Sequence, residues 1–206
     1  FGQWKPALET LSLVLVAAPL SVILGLVLGV WGFRNKTVEA ALQPLLNVAQ
    51  TMPHYSYLVP VLVLFGVGDH AGAIATIIFA TPPMVRLTIL GLKNVSPEVV
   101  EAGMMNGCTN FQLLFKVLIP TARHDILIGV NQVIMQCLAM TVIASFIGAQ
   151  GLGSHLMVAL NSLRVGVGIE IGVCIVLIAV MLDKLSLAWA NKQTDYFADL
   201  TFIERY

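Results

Sequence analysis

The sequence has few charged residues. Only 11% of its 206 residues are Asp, Glu, Lys or Arg, while 58% are hydrophobic. Soluble domains carry about 25% charged residues, so this shortage excludes an ordinary water-exposed surface and predicts a chain that faces lipid. The eleven basic and eleven acidic residues balance. The chain therefore has no basic field of the kind that binds nucleic acid, and no nucleic-acid partner is expected.

Cysteine and histidine are also sparse. Cys108, Cys137 and Cys174 are far apart, and the four histidines are scattered without metal-ligand spacing. An odd number of isolated cysteines indicates neither a disulfide framework nor a zinc site. We expect the cysteines to be buried as small apolar residues, and we predict no metal and no cofactor on this chain.

Motifs for catalysis or nucleotide binding are missing. The sequence contains no GxxxxGK[ST], HExxH or GxSxG, and residues 148–154 have the glycines of a phosphate loop without its lysine. Acidic residues are nearly absent from the hydrophobic runs, since Glu170 and Asp183 lie near run ends. Carriers driven by protons or sodium usually place acidic groups at mid-membrane. We predict no catalytic site and no intrinsic energy source, so uphill transport would need a partner.

Long hydrophobic runs dominate the remainder. A membrane-spanning helix needs about 20 mostly apolar residues. The fold class is therefore an all-α integral membrane protein of about five transmembrane helices, forming a single domain over residues 1–206. The chain starts at Phe1 without a visible signal peptide, and we expect the natural protein to extend upstream. The predicted spans are residues 8–33, 42–65, 71–92, 126–147 and 168–189.

Small and helix-breaking residues mark particular runs. Gly25 and Gly29 in the first run have the GxxxG spacing that permits close helix packing. Prolines interrupt the second and third runs, and in lipid the backbone groups that they free need partners from neighbouring helices or water. These two runs should therefore pack inside a bundle or line a pathway. Arg86, deep in the third run, is expected to snorkel towards the membrane face of Lys93, and a pathway role is the alternative.

Polar amides occur inside the fourth run. Gln132 and Gln136 are four residues apart and so share a helix face. Such groups bond to another helix or line a solute path. For the aromatic residues of the second run, packing in the core or at the interface is the alternative to a pathway role. The pathway or gating candidates are Pro53, Tyr55, Tyr57, Pro60, Phe65, Pro82, Pro83, Asn131, Gln132 and Gln136.

One polar stretch, residues 96–120, interrupts the apolar pattern between the third and fourth runs. Ser96, Pro97 and Glu98 are typical of a helix start. Residues 110–118 have apolar residues at helical spacing, namely Phe111, Leu114, Phe115 and Leu118. We predict two short interfacial helices here. The glycine-rich residues 148–166 are predicted to form an external loop with a re-entrant or interfacial turn.

Charge bias sets the orientation. With five spans, nine of the eleven Lys and Arg residues lie on or towards one face, and Lys5 and Arg164 lie on the other. Basic residues accumulate on the cytoplasmic side of membrane proteins. We therefore expect residues 96–120 and the C-terminus in the cytoplasm, and the N-terminal end outside.

The polar stretch resembles the Glu-Ala-Ala loop of binding-protein-dependent ABC importer permeases. The matching residues are Glu101, Ala102, Gly103 and Gly107, followed by Ile119 and Pro120. Gly103 stands where that loop usually has alanine, and the isoleucine near the final proline is shifted. A longer stretch, roughly 42–189, is similar to the glycine betaine/proline osmolyte branch, at residues 57–60, 64–68, 76–80, 82–83, 86–91, 129–132, 142–145 and 151–153.

The resemblance implies a transmembrane permease subunit, in a bacterial inner membrane, that takes up a methylated osmolyte such as glycine betaine, proline betaine, choline or trimethylamine N-oxide. Its implied partners are cytoplasmic ATPase subunits that bind ATP and Mg²⁺, a second permease copy, and an external substrate-binding protein. A coupling helix at about residues 96–107 would enter a groove of the ATPase, where Ala102 and Gly103 would permit close approach. The implied coupling residues are Glu98, Glu101, Ala102, Gly103, Gly107 and Pro120.

Other functions remain open on sequence alone. An importer of this type could carry an amino acid or a phosphonate instead of an osmolyte. A channel or carrier that works without an ATPase is a further alternative, although the missing mid-membrane charges argue against it. A membrane scaffold that transports nothing is the third.

Overall fold

The computed structural model describes the backbone of residues 2–203 and the side chains of residues 2–188. Within those ranges the chain is helical and has no strand. The elements are α1 (Trp4–Arg34), α2 (Lys36–Thr51), α3 (His54–Phe65), α4 (Asp69–Lys93), α5 (Pro97–Met105), α6 (Asn110–Gln112), a π-helical turn (Leu113–Leu118), α7 (Ile119–Thr121), α8 (Arg123–Ala144), a 3-10 turn (Ser145–Ile147), α9 (Leu152–Asn161) and α10 (Val165–Ile203).

Four helical stretches among the described residues are long and apolar enough to cross a membrane: Trp4–Arg34, Asp69–Lys93, Arg123–Ile147 and Val165–Ala188. His54–Phe65 is a shorter apolar helix. The predicted all-α membrane fold is confirmed. The predicted number of about five spans compares with four long helices and one shorter apolar helix among the described residues.

The predicted second span, residues 42–65, is not one helix. It divides into α2 and α3, with Met52 and Pro53 between them in extended conformation at ψ 134° and 142°. The residue before a proline is sterically disfavoured in the helical region, and Pro53 has no N–H to continue the helix. The chain therefore turns at this point, whereas Pro44 and Pro60 lie inside their helices.

The centre of the fold is the packing of α1, α4 and α8. Ala17, Ala80 and Val133 are fully buried in one apolar cluster that also contains Cys137. Gly29 of α1 lies so close to α4 that a Cβ there would be 2.6 Å from the Thr88 Cβ. This confirms the close packing predicted from the GxxxG spacing. Cys108 and Cys174 are half-buried rather than buried, and all three thiols are free.

Residues 148–166 form more structure than the predicted loop. Gly151 adopts φ +122°, and a ten-residue helix, α9, follows it directly. The Leu152 N–H donates to the Thr10 Oγ1 at 2.9 Å, so α9 is attached to the start of α1. The apolar stretch near the end of this segment is the second half of a helix that packs on α10.

Helix α10 lies at the outside of the described bundle. About half of its side chains up to residue 188 are exposed, and all of these except Lys184 are apolar, as expected for a surface that faces lipid or another protein. Helical backbone extends to Ile203, beyond the predicted span of 168–189. The side chains of Trp189 and Lys192, and the whole of Arg205, lie outside the described residues.

Candidate functional site

The predicted coupling helix is present as α5, a nine-residue helix with Ser96 at the N-cap and Pro97 in its first turn. Ser96 makes no side-chain capping bond, but Glu98 lies in the first turn, where its charge complements the helix dipole. The helix ends at Met105, and Gly107 just beyond it has a φ of +74°, the left-handed conformation that glycine adopts readily. The Asn106 Nδ2 donates back to the Ala102 carbonyl at 2.8 Å.

The second short helix begins at a capping box. The Thr109 N–H donates to the Gln112 Oε1 at 2.9 Å, and the Gln112 N–H donates to the Thr109 Oγ1 at 3.4 Å. The helix then continues through the π-helical turn to α7, which contains Pro120. Pro120 is exposed. This helix is the predicted one, extended by a turn.

Its apolar face differs from the prediction. Leu114 and Leu118 are buried as expected, but they are joined by Leu113, while Phe111 and Phe115 are exposed. The π-helical turn at residues 113–118 widens the helix and shifts the register of its faces. The two phenylalanine rings instead contact each other on the outside, with centroids 4.5 Å apart.

Gly103 faces into the protein. A Cβ at this position would lie 2.7 Å from the Leu113 Cδ1 and 3.4 Å from the Val117 Cγ2. Glu101 and Ala102 are exposed. The expectation that Gly103 and Ala102 together face a partner groove is therefore wrong for Gly103. Its missing side chain lets α5 lie against the chain's own next helix.

The outer surface of this segment combines apolar and acidic groups. Glu98 and Glu101 are exposed there. A cavity of about 800 Å³ behind α5 is lined in part by Glu101, Arg34 and Lys93, and Lys93 also pairs with Glu39 of α2. Such a patch is typical of a surface that meets another protein. The exposed large apolar side chains on this outer surface are Val99, Met104, Met105, Phe111 and Phe115.

A second region is a cavity of about 390 Å³, open on one side, whose walls come from α2, α3, α4 and α8. It brings together Pro83, Gln132 and Gln136, as the shared face of the two glutamines predicted. Sequence reasoning gave Arg86 a pathway role only as the alternative to snorkelling, and it missed the other members. The lining residues are Ala49, Gln50, Met52, His54, Phe79, Pro83, Arg86, Leu87, Gln132 and Gln136.

We expect Arg86 to extend towards Lys93, but in the structure it does not. Its Nη2 donates to the Asn47 Oδ1 at 2.6 Å, and its side chain lines the cavity. The amide oxygen of α2 supplies a partner for a charge that is expensive at this depth. Beside it, the rings of His54 and Phe79 lie with centroids 4.4 Å apart.

The structure places the remaining pathway candidates elsewhere. Asn131 faces α10, where its Nδ2 donates to the Asp183 Oδ1 at 3.2 Å and its Oδ1 accepts from the Ser186 hydroxyl. Tyr57 is buried and donates its hydroxyl to the Ala49 carbonyl.

Pro82 and Tyr57 both line an apolar groove of about 400 Å³ between α1, α2 and α4. Tyr55, Pro60 and Phe65 are exposed on α3, and Pro53 starts that helix. Packing, the alternative role for the aromatic residues, accounts for Tyr57 and for Tyr55, which contacts Phe146 edge-on at 5.2 Å.

No cluster of three or more His, Cys, Asp or Glu side chains that could hold a metal ion occurs among the residues that the structure describes. The two regions that remain are the exposed α5 segment and the polar cavity. They are joined through the apolar cluster of Leu92, Leu113, Leu114, Leu118 and Ala122, which ties the end of α4 to the helix beneath α5.

Comparison with known proteins identifies membrane components of transport systems as the proteins that this chain is similar to. The family model described as "Binding-protein-dependent transport system inner membrane component" matches residues 21–192. The chain is 62% identical over 205 residues to the trimethylamine N-oxide transport system permease protein TmoV of Pelagibacter ubique (strain HTCC1062), which is 100% of this chain and 29% of that protein. It is 43% identical to the glycine betaine transport system permease protein OpuAB of Bacillus subtilis (strain 168), over 90% of this chain and 66% of that one.

A solved structure of the MetNI methionine ABC transporter in an inward-facing conformation superposes with a TM-score of 0.82 at 19% identity. The match covers 92% of this chain and 95% of that one. At this identity the likeness concerns the fold alone. The chain thus spans under a third of the length of TmoV and two thirds of OpuAB, but nearly all of the MetNI chain.

Proposed function

Since this chain belongs to the family of binding-protein-dependent transport system inner membrane components, we propose that it is the multi-pass permease part of an ATP-driven importer of small methylated osmolytes. The observation that carries the substrate class is the 62% identity to a trimethylamine N-oxide permease over the whole of this chain. Glycine betaine permeases at 43% identity support the same class.

The α5 segment is the proposed docking site for a cytoplasmic ATPase. Its support is the exposed surface of this segment, which carries Glu101 together with Met104, Met105 and Phe111. Apolar side chains bury well in a protein groove, and a carboxylate at the rim adds a charge-assisted contact. ATP and Mg²⁺ would be bound by that subunit and not by this chain. The charge bias of the sequence supports placing α5 in the cytoplasm and the N-terminal end outside.

Motion of α5 has a route to the cavity. Gly103 fixes α5 against the helix at residues 110–121, and that helix packs on Leu92 at the end of α4. The Asn94 Nδ2 also donates to the Asp125 Oδ2 at 3.3 Å, which joins the end of α4 to the start of α8. Both α4 and α8 line the cavity. A rigid-body shift of α5 would therefore displace two of its walls.

The break at Met52 and Pro53 supplies a place for the cavity to open. Met52 and His54, on either side of Pro53, both line the cavity. Two short helices joined by a non-helical pair can pivot where one long helix would have to bend. In the proposed transport cycle, α2 and α3 move about this joint when the ATPase pair closes. A second permease copy would complete the pathway, and an external binding protein would deliver the solute.

The test is the ATPase activity of the reconstituted complex, with the full-length permease, its ATPase and its binding protein. Loaded binding protein should stimulate ATP hydrolysis with trimethylamine N-oxide or glycine betaine. Stimulation only by amino acids or phosphonates would contradict the substrate class. Solute flux through the permease alone, without any ATPase, would instead identify a channel or carrier. A permease that binds the ATPase but moves no solute would be a scaffold.

A further inference from the structure

The polar cavity has an asymmetric charge. Of its lining side chains, Arg86 is cationic and none is Asp or Glu. Gln50, Gln132 and Gln136 supply neutral amides. A site built in this way attracts an anionic oxygen and offers no carboxylate to a cation.

Arg86 retains hydrogen-bonding capacity. A guanidinium has five N–H donors, and the Asn47 Oδ1 accepts from one nitrogen, Nη2, at 2.6 Å. A charge inside a membrane bundle requires further partners. Because the side chain borders the cavity, an oxygen that enters the cavity can accept from its other donors in a charge-assisted bond.

An aromatic ring in the lining, on the same face of α4 as Arg86 and two turns away from it, suits methylated nitrogen. The Phe79 ring lies in the cavity wall and is contacted by His54 and, edge-on, by Tyr57 at 5.4 Å. Aromatic faces attract methylated ammonium groups. The ring is held on two sides, so it is fixed in place before a solute arrives. A volume of about 390 Å³ is within the roughly 300–1,000 Å³ of small-molecule sites.

We propose that this cavity is a transient solute site of the permease itself and that it selects dipolar solutes. The accepted class carries a methylated nitrogen together with an anionic oxygen, as trimethylamine N-oxide and glycine betaine do. Arg86 and the glutamines receive the oxygen, and Phe79 receives the methyl groups. Bare quaternary cations such as choline and tetramethylammonium are rejected, because the cavity places a positive charge near them without a balancing carboxylate. The proposal rests on the proposed function and narrows it by excluding choline.

The experiment measures solute binding directly. The full-length permease and its ATPase, in lipid nanodiscs without binding protein, are titrated with labelled trimethylamine N-oxide, glycine betaine, choline or tetramethylammonium. The variants are Arg86→Gln and Gln132→Leu. The control is Gln43→Leu, which makes the same amide-to-leucine change at an exposed position of α2 outside the cavity.

The wild-type complex should bind the two dipolar solutes saturably and neither cation. Arg86→Gln should weaken dipolar binding by about tenfold or more, as expected for a lost charge-assisted bond, and should reduce the discrimination against choline. Gln132→Leu should weaken dipolar binding without restoring choline, while Gln43→Leu changes nothing. Melting temperatures measured in parallel separate these effects from misfolding.

Equal binding of choline and glycine betaine by the wild type would overturn the proposal, as would unchanged binding in both cavity variants, or no saturable binding at all. ATP-driven uptake by the complete transporter is measured with the same preparations. If uptake is intact while the cavity results are negative, the solute site is refuted and the permease function stands. If the wild-type complex takes up no methylated solute, the proposed function itself fails.

Discussion

Gly103 and Leu113 pack so closely that a Cβ on residue 103 would lie 2.7 Å from the Leu113 Cδ1. The contact joins the exposed α5 to the helix that supports it, and through that helix to the end of α4. Because the nearest atom is the end of a flexible side chain, a small residue at 103 can be accommodated and a branched one cannot. In the proposed coupling, we expect this contact to determine how firmly α5 transmits a displacement.

We predict that Gly103→Val impairs coupling and that Leu113→Ala partly restores it. Overpacking of this kind costs about 1–3 kcal/mol, whereas alanine at 103 gains up to about 1 kcal/mol in helix propensity, so Gly103→Ala should be nearly neutral. The measurement is solute-stimulated ATPase activity of the reconstituted complex. The matched control is Gly172→Val, the same change inside α10 at a position where a Cβ would meet no atom within 4 Å. If Leu113→Ala fails to relieve the Gly103→Val defect, then the contact is not the cause.

The charge of Glu101 should matter for docking. Glu101→Lys replaces an exposed carboxylate at the mouth of a cavity that already contains Arg34 and Lys93, and like charges repel. We expect ATPase binding to weaken by roughly tenfold, as measured with the purified permease in nanodiscs. Glu9→Lys makes the same change at the other end of the bundle and should leave docking intact. Equal effects from both variants would point to a general charge effect and away from a specific contact.

Gly107 should be sensitive to side chains for a backbone reason. Its φ is +74°, and a Cβ there would meet no atom within 4 Å, so any penalty comes from conformation rather than from crowding. Gly107→Ala should cost about 1–2 kcal/mol and Gly107→Asn less, since asparagine tolerates this region better. Amide hydrogen exchange of residues 97–105 would report the loosening of α5. An alanine variant with exchange as slow as that of the wild type would contradict the strained turn.

Asn131 should act on stability and not on solute. Its amide joins Asp183 and Ser186 of α10, while the neighbouring Gln132 lines the cavity. Asn131→Leu should destabilise the protein by about 1–3 kcal/mol, because Asp183 loses a half-buried partner, and should leave the KM for uptake unchanged. Gln132→Leu should change the KM for uptake and leave the stability unchanged. Thermal unfolding and uptake kinetics of the two variants, side by side, distinguish the roles of adjacent amides.

Several features followed directly from the sequence. Run length and composition predicted four of the five spans, the spacing of Gly25 and Gly29 predicted close packing of the first helix without naming its partner, and Ser96 and Pro97 marked the start of α5. These are local patterns, and each depends on residues within a few turns of one helix.

Other features depended on contacts between distant segments. The Arg86 to Asn47 bond crosses 39 positions, so sequence alone favoured a snorkelling arginine. The inward side of Gly103 packs against Leu113 and Val117 of the π-helical turn, and no local pattern predicted that turn. The break at Pro53 was one of several prolines in its run, and only the fold shows which of them ends a helix.

We propose that this chain is the membrane part of an importer that couples ATP hydrolysis in a partner to the uptake of a methylated osmolyte. The most direct measurement is uptake of labelled trimethylamine N-oxide into proteoliposomes that contain the full-length permease and its ATPase, with binding protein outside and ATP inside. We predict accumulation against a gradient that requires both ATP and binding protein and is strongly reduced by Glu101→Lys. Accumulation without ATP, or none with all components present, would contradict it.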